Sequence, residues 1–208
     1  MRKKLTLFLL LIVTVGSAAF FAATLAHALG YGPADSTDET ATTSTGLVPP
    51  RGVTPRSDTG SNPERLVIPA LGIDAHIQQI GLTASGALAT PHGFTDVGWY
   101  IYGPRPGESG SAVIAGHLDN ALGLAGVFEH LGDIASGDEV DVFFADGSEQ
   151  RFDVNHVERL PYTDTDTTEL FRASDSGAHL NLITCGGTWI QSAHSYSQRL
   201  VVFTDILK

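Results

Sequence analysis

The hydrophobic pattern of the chain divides it into three stretches. Met1-Arg-Lys-Lys leads into Leu5–Leu29, an apolar run whose one ionisable residue is His27. The run is 25 residues long, and about 20 apolar residues suffice to cross a bilayer as a helix. Its basic flank predicts a cytoplasmic start (residues 1–4) and an exported remainder. Ala26-His27-Ala28 has the form of a cleavable signal site, but typical cleaved signals have an apolar core of only 7–15 residues. An uncleaved signal-anchor over residues 5–29 is therefore expected. Residues 30–64 then turn to Ser, Thr, Asp, Gly and Pro, as in Asp35-Ser-Thr-Asp-Glu-Thr. Such a stretch buries too little apolar surface to offset chain entropy and reads as a flexible extracellular linker, stiffened locally by its prolines.

From residue 65 to 208 short apolar runs alternate with Gly, Pro and Asp, the pattern of a single β-rich domain. Strands are predicted near 65–68, 73–80, 87–90, 111–115, 139–145, 149–159, 179–184 and 199–206. Asp146-Gly147 between two apolar runs predicts a tight hairpin. Helical periodicity is weak, with short helices expected at 93–100, 124–131 and 167–173, the last capped by Thr167. Eight strands and little helix predict a mainly β fold, an eight-stranded closed or nearly closed barrel with a few short helices.

Charge narrows the function. The chain carries a formal charge of −11. Three of its 12 basic residues stand in the first four positions, whereas all 23 acidic residues follow the apolar run. An acidic exported domain argues against a nucleic-acid partner, because phosphates demand a basic face.

Cys185 is the only cysteine, so an intramolecular disulfide is excluded. What remains is a small buried hydrophobe or a reactive thiol. It ends the run His179-Leu-Asn-Leu-Ile-Thr-Cys185; Arg199 opens a second run fourteen residues later, and Ser111-Ala-Val-Ile-Ala-Gly-His117 ends on a histidine. A thiolate is the nucleophilic form, and a nearby cation such as Arg199 is expected to lower the thiol pKa. Cys, His and Arg at strand ends thus predict a thiol acyl-transfer site. His92 and His194 are the next histidine candidates. Asp119 reads as a solvated turn acid, with orientation of an imidazolium as the alternative. Trp99 and Tyr100 read as core or groove wall.

These residues in this order resemble the sortases, membrane-anchored cysteine transpeptidases of Gram-positive bacteria. The resemblance runs over the whole of 65–208, including Ile68-Pro-Ala-Leu-Gly-Ile-Asp74, Val97-Gly-Trp-Tyr100, Gly103-Pro-Arg-Pro-Gly-Glu108, Gly137-Asp-Glu-Val140 and Cys185-Gly-Gly187. The Gly-Trp-Tyr and Cys-Gly-Gly features are most similar to class F, with class E next. The resemblance implies a sortase-type barrel in which Cys185 attacks the Thr-Gly bond of a Leu-Pro-x-Thr-Gly-like sorting signal. His117 would act as acid and base, Arg199 would hold substrate carbonyls or the oxyanion, and Thr184 would help shape the oxyanion site. The partners implied are surface proteins bearing a C-terminal sorting signal and a cell-wall precursor amine. No cofactor is implied, and the expected form is a monomer on the cell membrane with its catalytic domain outside.

Two alternatives frame this reading. An L,D-transpeptidase-like cell-wall enzyme also uses a cysteine, but its signature places a histidine two residues earlier, where this chain has Ile183. A non-catalytic surface barrel that binds peptides would keep the fold with an inert thiol. Asp164-Thr-Asp-Thr-Thr-Glu169 carries three carboxylates yet lacks the glycine turn and spacing of a calcium loop, so a solvated acidic loop is expected. The histidines show no zinc-ligand spacing.

Overall fold

The computed structural model describes residues 60–207, apart from 121, 164–167, 172 and 174–175. The anchor at 5–29, nearly all of the linker, the Thr167 cap and most of the acidic run lie outside the described residues. Among those described, no helix is long and apolar enough to cross a membrane.

Eight strands form the domain: β1 (Pro63–Ile68), β2 (Ile73–Ile80), β3 (Val97–Tyr100), β4 (Gly110–Gly116), β5 (Glu139–Phe144), β6 (Glu149–Pro161), β7 (Ala178–Ile190) and β8 (Ser195–Ile206). One helical turn, α1 (Thr168–Phe171), stands between β6 and β7. The strands close in the order β1-β2-β3-β4-β7-β8-β6-β5. The β2–β3 and β4–β7 pairs are parallel and the others antiparallel.

Two apolar clusters explain the strand sequences. Ala112, Ile114, Leu180, Leu182, Leu200 and Val202 join the main core with Leu66, Phe128 and Phe152. Their alternates Val113, Ala115, Ile183 and Val201 form a second cluster with Ile80, Leu88, Tyr100, Leu170 and Phe171. Successive strand side chains point to opposite faces, so β4, β7 and β8 are covered on both sides. A strand buried twice loses the polar alternation and reads as a mostly apolar run, the pattern seen at 111–115 and 180–184, where Ser111, Asn181 and Thr184 are the buried polar exceptions. Asn181 Nδ2 donates to the Leu170 carbonyl at 2.9 Å and fastens α1 onto this second face.

The Asp146-Gly147 hairpin forms as expected. Gly147 sits at φ 82°, its N–H donates to the Phe144 carbonyl at 2.9 Å, and Asp146 Oδ1 accepts from Ser148 N.

The remaining differences have local causes. Residues 97–100, expected as helix, are β3: all four are buried, so no alternation betrays the strand. Gly98 is required there, since a Cβ would stand 2.6 Å from Ile80 Cγ2. Residues 87–90, expected as a strand, form only a lone Leu82–Leu88 bridge after a Thr83–Ala87 turn, because Leu88 is drawn into the second cluster. Residues 124–131 are not helical either. Gly126, Val127 and Phe128 donate to Leu118, Phe94 and His117 carbonyls far from a helical register, and only a 3-10 turn at Leu131–Asp133 follows. Phe128, fully buried, is what pulls that segment across β4. β1 begins at Pro63, inside the expected linker, and Asn62 O and Ser61 Oγ already accept backbone bonds from Ala145 and Asp146.

Candidate active site

β7 and β8 run past the positions expected as their ends and continue as one hairpin. Cys185 and Arg199 are cross-strand partners within it. On the other side of β7, the parallel β4–β7 register pairs Ala115 with Ile183. β4 ends at Gly116, and His117 follows it directly, two residues beyond the last β4–β7 pair. The strand order β4-β7-β8 thus puts Cys185 and Arg199 on neighbouring strands, with His117 just past the end of the strand on the other side of β7. Cys185 shares the sheet face of Ile183, and Arg199 that of Val201, so the site continues the second apolar cluster outside the barrel interior.

Arg199 is wholly buried. Its Nη1 donates to the carbonyls of Tyr196 at 3.1 Å and Gln198 at 2.8 Å, and its Nη2 donates to Ser195 Oγ at 2.9 Å. A buried guanidinium needs such partners, because an uncompensated charge in the interior costs several kcal/mol. Burial lowers its pKa, and only the Cys185 thiolate acts in the other direction.

The Cys185 thiol is half-buried and free. Burial raises its pKa, the Arg199 cation lowers it, and the Asp119 carboxylate raises it again. The net direction is upward. The expected acidification by Arg199 is thus outweighed, because the thiol sits in an apolar wall that disfavours the thiolate before any charge acts.

His117 is half-buried just past β4. Its Nε2 lies 3.1 Å from the Pro91 carbonyl. A carbonyl can only accept, so Nε2 carries the proton of this bond and Nδ1 is the second ring nitrogen. The Phe94 ring packs on the imidazole at 4.8 Å between centroids. His92 and His194 are exposed in turns.

Thr184 does not join the three. It alternates with Cys185 and so faces the barrel interior, beside its partner Leu200. Its hydroxyl is buried with no hydrogen-bond partner among the described residues. Any contribution from Thr184 to the reacting side passes through its backbone.

Tyr196 and Trp189 had no signal in the sequence, and Asp119 was expected in a different role. Asp119 is not a solvated acid: its Oδ2 accepts a short hydrogen bond from the Tyr196 hydroxyl. Tyr196 is pushed up to about 12, by burial first, then by the hydrogen bond and charge of Asp119 and by Cys185. Its ring meets Trp189 edge-on at 5.3 Å. Trp99 is core, donating Nε1–H to the Pro104 carbonyl, whereas Tyr100 lines the second cluster against Phe171. No group of three metal-ligating side chains occurs among the described residues.

The sortase domain family model matches residues 66–207. The chain belongs to the sortase family. Sortases are cysteine transpeptidases that act on sorting signals, and this chain is one of them. A search of curated protein sequences found no match. Among solved structures, the sortase fold here is similar to sortase C-1 from Actinomyces oris (TM-score 0.54, 23% identity, covering 69% of this chain and 73% of that one). It is similar to sortase A from Corynebacterium diphtheriae (TM-score 0.53, 19% identity, 73% and 63%). It is likewise similar to Streptococcus agalactiae sortase C1 in its complex with MTSET (TM-score 0.54, 22% identity, 70% and 67%). At these identities the likeness establishes the barrel, and the site rests on its own geometry.

Proposed function

We propose that Cys185 is the nucleophile of this sortase, His117 its acid and base, and Arg199 the group that fixes the reacting carbonyl. The observation that carries this reading is the pairing of Cys185 with Arg199 across β7–β8, with His117 directly after β4, the strand on the other side of β7. In the first half-reaction the Cys185 thiol gives its proton to His117 Nδ1, and the sulfur attacks the Thr carbonyl carbon of a Leu-Pro-x-Thr-Gly-like signal. The tetrahedral oxyanion collapses, the Thr-Gly bond breaks, and His117 delivers a proton to the departing glycine amine. A thioacyl enzyme remains. In the second half-reaction an amine attacks the thioester, His117 takes its proton, and Cys185 leaves as thiolate. With Nε2 held by Pro91, Nδ1 is the atom assigned to these transfers.

The acceptor in this reading is a cell-wall precursor amine, and the substrates are surface proteins with a C-terminal sorting signal. Class F is the nearest subclass, on Gly98-Trp99-Tyr100 and Cys185-Gly186-Gly187, with class E and a Leu-Ala-x-Thr-Gly signal next. Residues 5–29 would anchor the chain in the cell membrane, and 30–64 would hold the barrel outside. No cofactor enters either half-reaction. Incubating the chain with a small panel of sorting peptides and an amine, with mass spectrometry of products, tests the reading. Cleavage between Thr and Gly with amine capture supports it; cleavage elsewhere, or none across the panel, overturns it.

A further inference from the structure

We propose that Tyr196 and Asp119 are positioning residues, whose hydrogen bond clasps the segment carrying His117 to the start of β8, the strand carrying Arg199, across Cys185. The inference rests on the site assigned above. The sheet order is β4-β7-β8. Asp119 follows β4 by three residues, Tyr196 lies at the start of β8, and β7 with Cys185 runs between them. A bond from Tyr196 Oη to Asp119 Oδ2 therefore crosses over the strand of the thiol.

Both ends of the clasp are held. Asp119 bridges to Ala125, and Asn120 Oδ1 accepts from Leu122 N and Leu124 N, which fixes the turn after His117. Tyr196 pairs with Trp189 in the β7–β8 ladder and packs on its ring. The same residue also meets Arg199, because its carbonyl accepts from Nη1 at 3.1 Å. One tyrosine thus links a group two residues from His117 to the guanidinium itself. The phenol remains protonated at neutral pH, so it remains a donor to Asp119. The charged and titratable groups that act on or feel Cys185 are then Arg199, Asp119 and Tyr196.

Acyl transfer depends on the relative placement of thiol, imidazole and guanidinium, and small displacements of reacting groups cost large factors in rate. Loosening the clasp should therefore act on kcat. The test uses the full chain with Tyr196→Phe, Asp119→Ala, Asp119→Asn and the Tyr196→Phe/Asp119→Ala double variant. Steady-state kinetics on a sorting peptide with an amine are read beside the rate of Cys185 alkylation by iodoacetamide. Tyr196→Phe and Asp119→Ala are each expected to lower kcat by about tenfold with KM within about twofold, and the double variant no further. Asp119→Asn keeps an acceptor oxygen and should recover most of what Asp119→Ala loses. It should also speed alkylation at neutral pH, since it removes a carboxylate that opposes the thiolate. The proposal is overturned if losses in the double variant multiply, if only KM changes, if kcat is unchanged, or if lost activity merely tracks a lost folded fraction. Turnover persisting in Cys185→Ala would instead sink the site assignment, whatever these variants do.

Discussion

Replacing Arg199 with lysine separates what the residue does by charge from what it does by direction. Three of its five N–H groups are committed to Tyr196 O, Gln198 O and Ser195 Oγ. The guanidinium holds these donors in one fixed plane on the strand paired with Cys185. A lysine ammonium brings one nitrogen with three donors on a flexible stem, so it cannot meet acceptors spread around the fork and the reacting oxygen together. Losing one charge-assisted hydrogen bond costs about 1.5–3 kcal/mol. Removing one oxyanion donor typically costs about 100- to 1000-fold in rate. Since the ammonium keeps the charge and recovers one contact, the expected fall in kcat/KM is about 10- to 100-fold, roughly 1.4–2.7 kcal/mol. The assay is cleavage of a quenched sorting peptide with an amine acceptor, read beside the pH dependence of iodoacetamide alkylation. Alkylation should be little changed in Arg199→Lys, because the cation remains. In Arg199→Met it should be slower at a given pH, because the one influence lowering the thiol pKa is gone. Full activity of Arg199→Lys would refute the directional role and leave Arg199 acting through charge alone.

Cys185→Ala should abolish both cleavage and transfer while circular dichroism shows the barrel intact; turnover above the uncatalysed background would contradict the nucleophile assignment, since no second cysteine exists. In the unaltered chain, alkylation should still be rising at the ordinary thiol pKa of about 8.5, because the protonated thiol is favoured by burial; a plateau near neutral pH would mean that Arg199 outweighs burial. Gly126→Ala would press a Cβ onto the His117 carbonyl, which is pinned by its bond from Phe128 N at 2.9 Å. A loss of about 1–3 kcal/mol, or about 2–4 °C in Tm per kcal/mol, should accompany reduced kcat/KM, and an unchanged melting curve would show that the segment yields freely. N-terminal sequencing of membrane-extracted protein should begin at or near Met1; a start near Leu29 would mean that the apolar run is cleaved.

The legible parts of the fold were those whose residues carry their own constraint. The doubly covered strands β4 and β7 announce themselves as mostly apolar runs without alternation, and Asp146-Gly147 specifies its turn by backbone conformation. Val97–Tyr100 failed because four fully buried residues have no period to read. Residues 87–90 and 124–131 failed because single anchors, Leu88 and Phe128, shape them through tertiary burial. In the site, Cys185, Arg199 and His117 stood out as candidates, but the pairing of Cys185 with Arg199 did not. It depends on β7 and β8 extending as one hairpin beyond the apolar runs. Alternation alone already implies that Thr184 faces away from Cys185. The Asp119–Tyr196 bond had no sequence signal, since the two residues stand 77 positions apart.

The central claim is that Cys185 carries the acyl group between two substrates, and intact-mass spectrometry under acceptor-free conditions tests it most directly. The chain mixed with a sorting peptide and quenched early should gain the mass of the peptide acyl fragment up to Thr. Peptide mapping should place it on Cys185, and added amine should discharge it with the amine bound to the released fragment. An adduct on any other residue, or amine transfer with Cys185 replaced by alanine, would contradict the account.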